Sequence, residues 1–319
     1  MVNSTPQAVR VCISILNWNN AAETLNCLAS IPAPQGFEQQ IVVLDNGSSD
    51  DSVDVLRRLN AITLLRSDSN LGFAGGHNRV MRHALQQGFD YIWLLNNDAE
   101  VEADCLARLV AAARRDPGIG LLSPAIKDRR DPRRYQHVLS LLNTSGTGVE
   151  EFPEPAIAAE LQQAEPQRVI LWGTGLLVRR ELIERIGCLD EQLFAYSEDT
   201  DYSIRCLAAG YRNQVVIDAA IRHEVAPAIR KPHYYYYTQR NATLMWRKFV
   251  KPLKLLRMIR WNLHLARRQL NQFRDDAALS DSLILGIWHG WTGRGGGYRA
   301  GKRAPAPARW FIQLLLQIA

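Results

Sequence analysis

The chain has 319 residues, of which 47% are hydrophobic and 22% charged, and its formal net charge is +6. That is enough chain to bury one large core or two smaller ones, and the balance excludes a disordered or collagen-like protein. Five cysteines, at 12, 27, 105, 188 and 206, are too scattered for a metal knuckle or a redox pair, and their odd number does not suit a disulfide framework.

Reduced thiols in a cytoplasmic compartment are therefore expected. The start, "MVNSTPQAVR", carries no basic-then-apolar leader, and no apolar run reaches the roughly 20 residues that span a bilayer. Charge is unevenly spread: residues 222–319 hold 18 Lys and Arg against 4 Asp and Glu, and residues 1–221 hold 20 against 28. Such asymmetry suits an acidic body with a basic region that meets a polyanion, either nucleic acid or an anionic membrane surface.

In chain order, apolar runs predict strands at 9–18, 39–45, 61–67, 91–98 and 119–126. Helices are predicted between them at 21–31, 50–59, 75–88 and 103–115. This alternation predicts an α/β protein with a mostly parallel central sheet flanked by helices. Residues 127–168 are charged, Pro-containing and weakly periodic, and read as an irregular insertion with room for a hairpin. Regular structure resumes at 169–180, with a helix after it, a second helix in the acidic stretch "SEDTDYSIRC", and a strand at 213–221. From 239 to 274 the pattern is amphipathic and basic, and Pro252 divides it into two helices. The expected organisation is a domain over 1–238, split into 1–126 and 127–238, followed by a basic helical region over 239–319.

Ligands of open sheets gather beyond the carboxyl ends of the strands. Here those ends read "NWNN", "DNGSSD", "SDSNLGFAGG" and "NNDAE". Asp98, at such an end, suits Mg²⁺ or Mn²⁺ held against a diphosphate, and equally suits a turn or a helix cap. "NLGFAGGHN" offers backbone N–H groups to an anion before a helix, or simply glycines for a turn; it has neither the dinucleotide nor the Walker A spacing. Asp45 can accept from a base or ribose, or open an Asx-turn. His223 is a structural histidine unless a partner such as Asp98 lies near it. The tyrosines at 234–237 cover core or stack on a ring. Glu198, Asp199 and Asp201 crowd three carboxylates into one helical turn. The helix dipole and an Asp201–Arg205 pair account for two of them and leave Asp199 unexplained. The basic helices at 239–274 suit a membrane surface, or a core contact with a solvated basic face.

Taken together, "SILNWNN", "VVLDNGSSD", "NLGFAGGHN", "LLNNDAE", "WGTGLLVRRELIERIG", "LFAYSEDTDYSIRCLAAGY", "IRHE" and "YYYYTQRN" resemble family 2 glycosyltransferases. Within that family they look like the rhamnosyltransferase-like bacterial members that build surface polysaccharides. The resemblance covers roughly residues 9–245. It implies a GT-A fold and inverting transfer from a nucleotide-diphosphate sugar, with Mg²⁺ or Mn²⁺ as cofactor. It implies Asp199 as catalytic base, with Glu198, Asp201, Arg240 and Asn241 on the acceptor side. Asn17, Asp45, Asn70, Gly72, Gly75, Asn78 and Asn96 would line the donor, and Asp98 and His223 would hold the metal. Asn96 stands where the family's D-x-D motif has its first aspartate, which leaves one firm carboxylate.

The implied acceptor is a saccharide or a polyprenyl-diphosphate-linked sugar, with the enzyme peripheral to the inner face of the plasma membrane. Two other classes account for part of the pattern. A nucleic-acid-binding protein would use the basic region but leave the strand-tip residues idle. A non-catalytic nucleotide-sugar-binding module would use the tips but not the Glu198–Asp199 pair. A nucleotidyltransferase would need a basic activating loop near the first strand, where none is found.

Overall fold

The computed structural model describes residues 8–145, 147–273 and 276–318. The leader position at 1–7, and residues 274, 275 and 319 of the basic region, lie outside the described residues. Two compact units emerge: Met1–Leu189 with Tyr202–Val225, and Asp190–Asp201 with Ala226–Ala319.

The first unit opens with β1 (Arg10–Asn17), α1 (Ala21–Ser30), β2 (Glu38–Asp45), α2 (Ser52–Leu56), β3 (Ile62–Arg66) and α3 (Gly72–Gln86). It continues through β4 (Tyr91–Leu95), β5 (Glu100–Val101), α4 (Cys105–Arg115) and β6 (Ile119–Asp128). Then come β7 (Tyr135–His137), β8 (Leu139–Leu142), β9 (Val149–Phe152), α5 (Pro155–Ala164), β10 (Val169–Ile170), β11 (Gly175–Arg179) and α6 (Arg180–Ile186). After the excursion into the second unit, α7 (Glu198–Ala208) returns the chain to β12 (Arg212–His223).

The main sheet runs β3-β2-β1-β4-β11-β6-β12-β5, with β7 added to β6. β3, β2, β1 and β4 are mutually parallel, as are β6 and β12, whereas β5, β7 and β11 pair antiparallel, so the sheet is mixed. The parallel part is the one whose strands are joined by crossover helices, the connection that parallel neighbours require. Successive side chains feed opposite faces. In β4, Ile92 and Leu94 join a core with Ala74, Val80, Met81 and Ala84 of α3, while Tyr91, Trp93 and Leu95 join a core with Cys27, Leu56 and Leu109 of α1, α2 and α4. Strands covered on both faces read as unbroken apolar runs, which is why "VCISIL" and "YIWLL" show no alternation.

The insertion is more regular than its sequence suggested. β8 pairs with β9 as a hairpin, with β10 added on the other edge. α5 begins with Pro155 in its first turn and runs through "AIAAEL", good helix formers that a short segment hides among charges. Among the described residues no disulfide joins the five cysteines, and burial pushes the thiols of Cys12, Cys27 and Cys206 up to about 12, so these three are unreactive packing residues.

The second unit holds α8 (Pro232–Phe249), α9 (Pro252–Gln272), α10 (Ala277–Trp291) and α11 (Ala306–Ile318). The helix break falls at Pro252, which takes a first-turn position of α9 where its missing N–H costs nothing. α10 is apolar around most of its circumference and is buried accordingly. Gly286 and Gly290, one turn apart, let it lie against α8: a Cβ at 286 would sit 2.5 Å from Tyr236 O. No described helix is long and apolar enough to cross a membrane.

Candidate active site

Sheet register assembles the strand tips of the first unit. Asn17 ends β1 beside Asp45 at the end of β2, and Ile15 lies beside Leu95 at the end of β4. Strand order reverses between β1 and β4, the switch point at which such sheets bind ligands. Asn17 is fully buried and donates through Nδ2 to Asp45 Oδ1 (3.0 Å) and Ser48 Oγ (3.2 Å), while its Oδ1 accepts from Thr24 Oγ1 (2.8 Å). Asp45 Oδ2 accepts from Ser48 N (3.1 Å), so Asp45 opens a turn of the Asx type. Its carboxylate retains about two of its roughly four acceptor positions. Asn17 braces Asp45, a role that residue type alone does not separate from donor contact.

The glycine-rich loop is fastened to that turn. Asn70 Oδ1 accepts from Gly72 N (2.8 Å) and Asn46 Nδ2 (3.3 Å), and Asn46 Oδ1 accepts from Leu71 N (2.9 Å). These bonds start α3 at Gly72, three residues before the predicted start, and put both Gly72 and Gly75 in buried helix. Gly47, at φ 78°, comes so close to the loop that a Cβ would lie 2.6 Å from Ser69 C. Asn46 was not singled out from the sequence, although its place in "DNGSSD" marks it as a turn residue. Asn78 is buried and bonds Leu189 through both amide atoms, Nδ2 to O and Oδ1 from N, each at 2.9 Å. It anchors the segment after α6.

Asp98 and His223 are 125 residues apart in number and meet through β5. That two-residue strand runs antiparallel to β12, with Ile221 beside Val101 and Arg222 beside Glu100, so the next step carries His223 back toward Asp98. His223 Nε2 lies 3.2 Å from Asp98 Oδ1. Burial raises the Asp98 pKa, but the His223 hydrogen bond and charge, helped by Arg129, outweigh it and hold the carboxyl below the usual range. The turn before Asp98 is clamped: Asn96 N donates to Thr174 O (3.0 Å), Asn96 O accepts from Cys27 Sγ (3.4 Å), and Asn97 Nδ2 donates to Thr24 Oγ1 (3.1 Å). Arg129 was missed in the sequence. Its backbone N–H donates to His223 O, and its guanidinium bonds Glu23 (2.9 Å) and Glu100 (2.7 Å). Its place in the charged insertion gave no cue.

Among the described residues no three His, Cys, Asp or Glu side chains converge as a metal site. The Asp98–His223 pair alone suits a hard cation that takes its other ligands from diphosphate and water.

The acidic segment belongs to the second unit, together with the first turn of α7. Three non-glycine residues before it, Phe194, Tyr196 and Ser197, have left-handed φ of 64°, 67° and 70°. Such conformations persist when surroundings over-determine them. Here Asn241 Nδ2 donates to the carbonyls of Leu193 (3.0 Å), Ala195 (2.9 Å) and Tyr196 (2.6 Å). Arg240 donates to the carbonyls of Gln192 (3.2 Å), Leu193 (2.6 Å) and Gly296, and through Nε to Asn241 Oδ1 (2.8 Å). Both side chains are completely buried, and most of their donors meet backbone carbonyls; Arg240 also donates to Asn241 Oδ1 and Tyr236 Oη. They hold the acidic segment in place. Tyr235, Tyr236 and Tyr237 are buried core, with Arg240 stacked over the last two.

The three carboxylates have separate environments. Asp201 is fully buried and accepts from Lys248 Nζ (2.8 Å) in an ion pair. Glu198 is buried, and its Oε2 has no hydrogen-bond partner. Burial, then the charges of Asp199 and Asp201, raise its pKa well above the ordinary value. Asp199 is half-buried, with Oδ1 accepting from Thr200 N (2.6 Å).

Comparison with known proteins bears on the family and the fold. Residues 11–187 match the sequence profile described as Glycosyl transferase family 2. A dTDP-rhamnosyl transferase, RfbF of Shigella flexneri, is 25% identical over 251 residues, which make up 76% of this chain and 81% of that protein. An N-acetylglucosaminyl-diphospho-decaprenol L-rhamnosyltransferase of Mycobacterium tuberculosis is 27% identical over 218 residues, covering 62% of this chain and 71% of the other. Among solved structures, the mannosyltransferase PcManGT of Pyrobaculum calidifontis, in complex with GDP-Man and Mn²⁺, aligns with a TM-score of 0.57 and 18% identity, over 98% of this chain and 86% of that one. At that identity the likeness speaks for the fold. With its profile match, its sheet order and its strand-tip residues, the chain belongs to glycosyltransferase family 2 and has the GT-A fold.

Proposed function

We propose that this glycosyltransferase moves rhamnose or another hexose from a dTDP- or UDP-sugar, with inversion, onto a saccharide or a polyprenyl-diphosphate-linked acceptor in surface polysaccharide synthesis. The observation that carries the reading is the Asp98–His223 pair, 3.2 Å apart and next to a clamped turn at the switch point of the sheet. The names of the two rhamnosyltransferase relatives support the choice of donor and acceptor classes.

In this reading Asp45, braced by Asn17, contacts the nucleoside, and the loop at Asn70–Gly72, with Asn96, borders the diphosphate. Asp98 and His223 hold Mg²⁺ or Mn²⁺, which when bound offsets charge on the departing diphosphate. Asp199 removes the acceptor proton. The acceptor oxygen forms a bond to the anomeric carbon as the bond from that carbon to the diphosphate breaks; the proton passes to the Asp199 carboxylate and the nucleoside diphosphate leaves. Burial raises the pKa of Glu198, which favours its neutral form and lessens the negative charge beside Asp199. Arg240 and Asn241 set the backbone from which Asp199 projects. With a lipid-linked acceptor, the enzyme works as a cytoplasmic protein, peripheral to the inner face of the plasma membrane.

A thermal-shift screen against dTDP-rhamnose, UDP-galactose, UDP-glucose and GDP-mannose, with and without Mn²⁺, tests the donor reading. A metal-dependent rise in melting temperature with a dTDP- or UDP-sugar is expected. A shift with none of the four, or a shift without any turnover or slow donor hydrolysis, contradicts it; the second outcome is that of a non-catalytic binding module.

A further inference from the structure

The exposed face of α9 is built for something other than water. The helix buries Met258, Leu263 and Ala266, but Leu253 (67% exposed), Leu256 (63%) and Trp261 (63%) stand in solvent. Interleaved with them are six exposed cations, Lys251, Lys254, Arg257, Arg260, Arg267 and Arg268, none paired with a carboxylate among the described residues. The helix contains no Asp or Glu. At 100° per residue, Leu253, Arg257, Arg260 and His264 share one stripe with Leu256 and Trp261 at its margins, while Met258 and Ala266 lie on the other side and Leu263 falls at the edge next to Leu256. α11 packs against α9 and repeats the apolar half of the pattern: it buries Ala308, Ile312 and Leu316 and exposes Trp310, Phe311 and Leu314, while its Arg309 pairs with Asp281.

We propose that α9 and α11 form a docking surface for an anionic lipid bilayer, with the cations among the headgroups and the exposed Trp, Phe and Leu side chains at the acyl boundary. The charge pattern selects this occupant. A nucleic acid would neutralise the cations but leave the Leu, Trp and Phe side chains wet. A second copy of the same face would set six cations against six. An anionic bilayer meets both halves of the pattern, because long basic side chains reach the headgroups from stems that lie on apolar surface. The inference rests on the proposed function for its purpose, access to a lipid-linked acceptor, and on α9 and α11 for its physics.

The test floats the full chain, without donor or metal, on vesicles of phosphatidylcholine alone and of phosphatidylcholine with phosphatidylglycerol. Binding to the anionic vesicles, with a blue-shifted tryptophan emission and about tenfold or more weakening in high salt, is expected. Arg257→Glu with Arg260→Glu should lower anionic partitioning about tenfold or more. Leu256→Ala with Trp261→Ala should weaken it while the salt dependence persists.

Equal binding to both vesicle types, no binding to the anionic ones, or wild-type binding by the charge-reversed variant overturns the inference. So does a concentration-dependent dimer that the same variants dissolve. Transfer to a water-soluble acceptor is followed in parallel. If transfer fails while vesicle binding persists, the proposed function falls and the bilayer surface stands. If transfer proceeds while vesicle binding is absent, the function stands and the bilayer surface falls.

Discussion

At the scale of single residues, the chemistry depends on how each carboxylate is housed. Asp98 is held ionised by His223 and Arg129, the state a cation ligand needs. Asp98→Ala should therefore abolish the Mn²⁺-dependent part of donor binding, read by calorimetry with and without metal. His223→Ala should weaken it less, because it leaves the carboxylate in place. Glu198 runs the other way. Its folded pKa lies above its ordinary 4.5, so the folded state takes up a proton there that the unfolded chain releases, and stability falls as pH rises from about that value through the raised pKa. Glu198→Gln is expected to raise the melting temperature at neutral pH, with the gain vanishing below about pH 4.5. An unchanged melting curve at pH 7 would refute the buried, neutral carboxyl. Asp98 and His223 were named together from the sequence, and the structure brings them to 3.2 Å; Asp199 was singled out because the helix dipole and the ion pair left it unexplained. The carbonyls that Arg240 and Asn241 meet were not legible, because they depend on burial and on the path of a distant segment.

At the scale of elements, most strands and helices followed from apolar runs and their punctuation. The predicted helix over 75–88 starts at Gly72 because Asn70 and Asn46 supply hydrogen bonds across the loop, and such bonds are invisible to local periodicity. α5 went unread because its apolar face is short and its neighbours are charged. The left-handed run before α7 has no glycine to announce it; Asn241, some 45 residues on, imposes it. α10 shows the opposite case, in which packing can be traced to one atom. Gly286→Ala would drive a Cβ into Tyr236 O, a backbone atom with little room to retreat. Overpacking of this kind costs about 1–3 kcal/mol, so a fall of that size in the unfolding free energy of the second unit is expected in denaturant titrations. A neutral result would mean that α8 and α10 are less tightly apposed.

At the scale of the whole molecule, the α/β sheet with flanking helices was written in the alternation of the first 126 residues. The antiparallel entry of β11 between β4 and β6 was not, because pairing between strands so far apart leaves no local trace. Buried histidines give the first unit an acid limit. Burial pushes His77 and His137 from the ordinary 6.5 down to about 3, so between those values the unfolded chain binds protons that the folded one refuses. Stability contributed by that unit is therefore full above about pH 6.5 and falls as pH drops toward 3. A melting temperature that is flat from pH 7 to 4 would contradict this.

The function itself comes down to one proton. Once a donor is identified, product formation and donor affinity should be measured side by side for the wild-type chain and for Asp199→Asn. The expected result is an inverted glycosidic product from the wild type, a loss of about 10²–10⁴-fold or more in turnover for the variant, and unchanged donor binding. Turnover that survives the substitution, or donor affinity that collapses with it, would show that Asp199 is not the base.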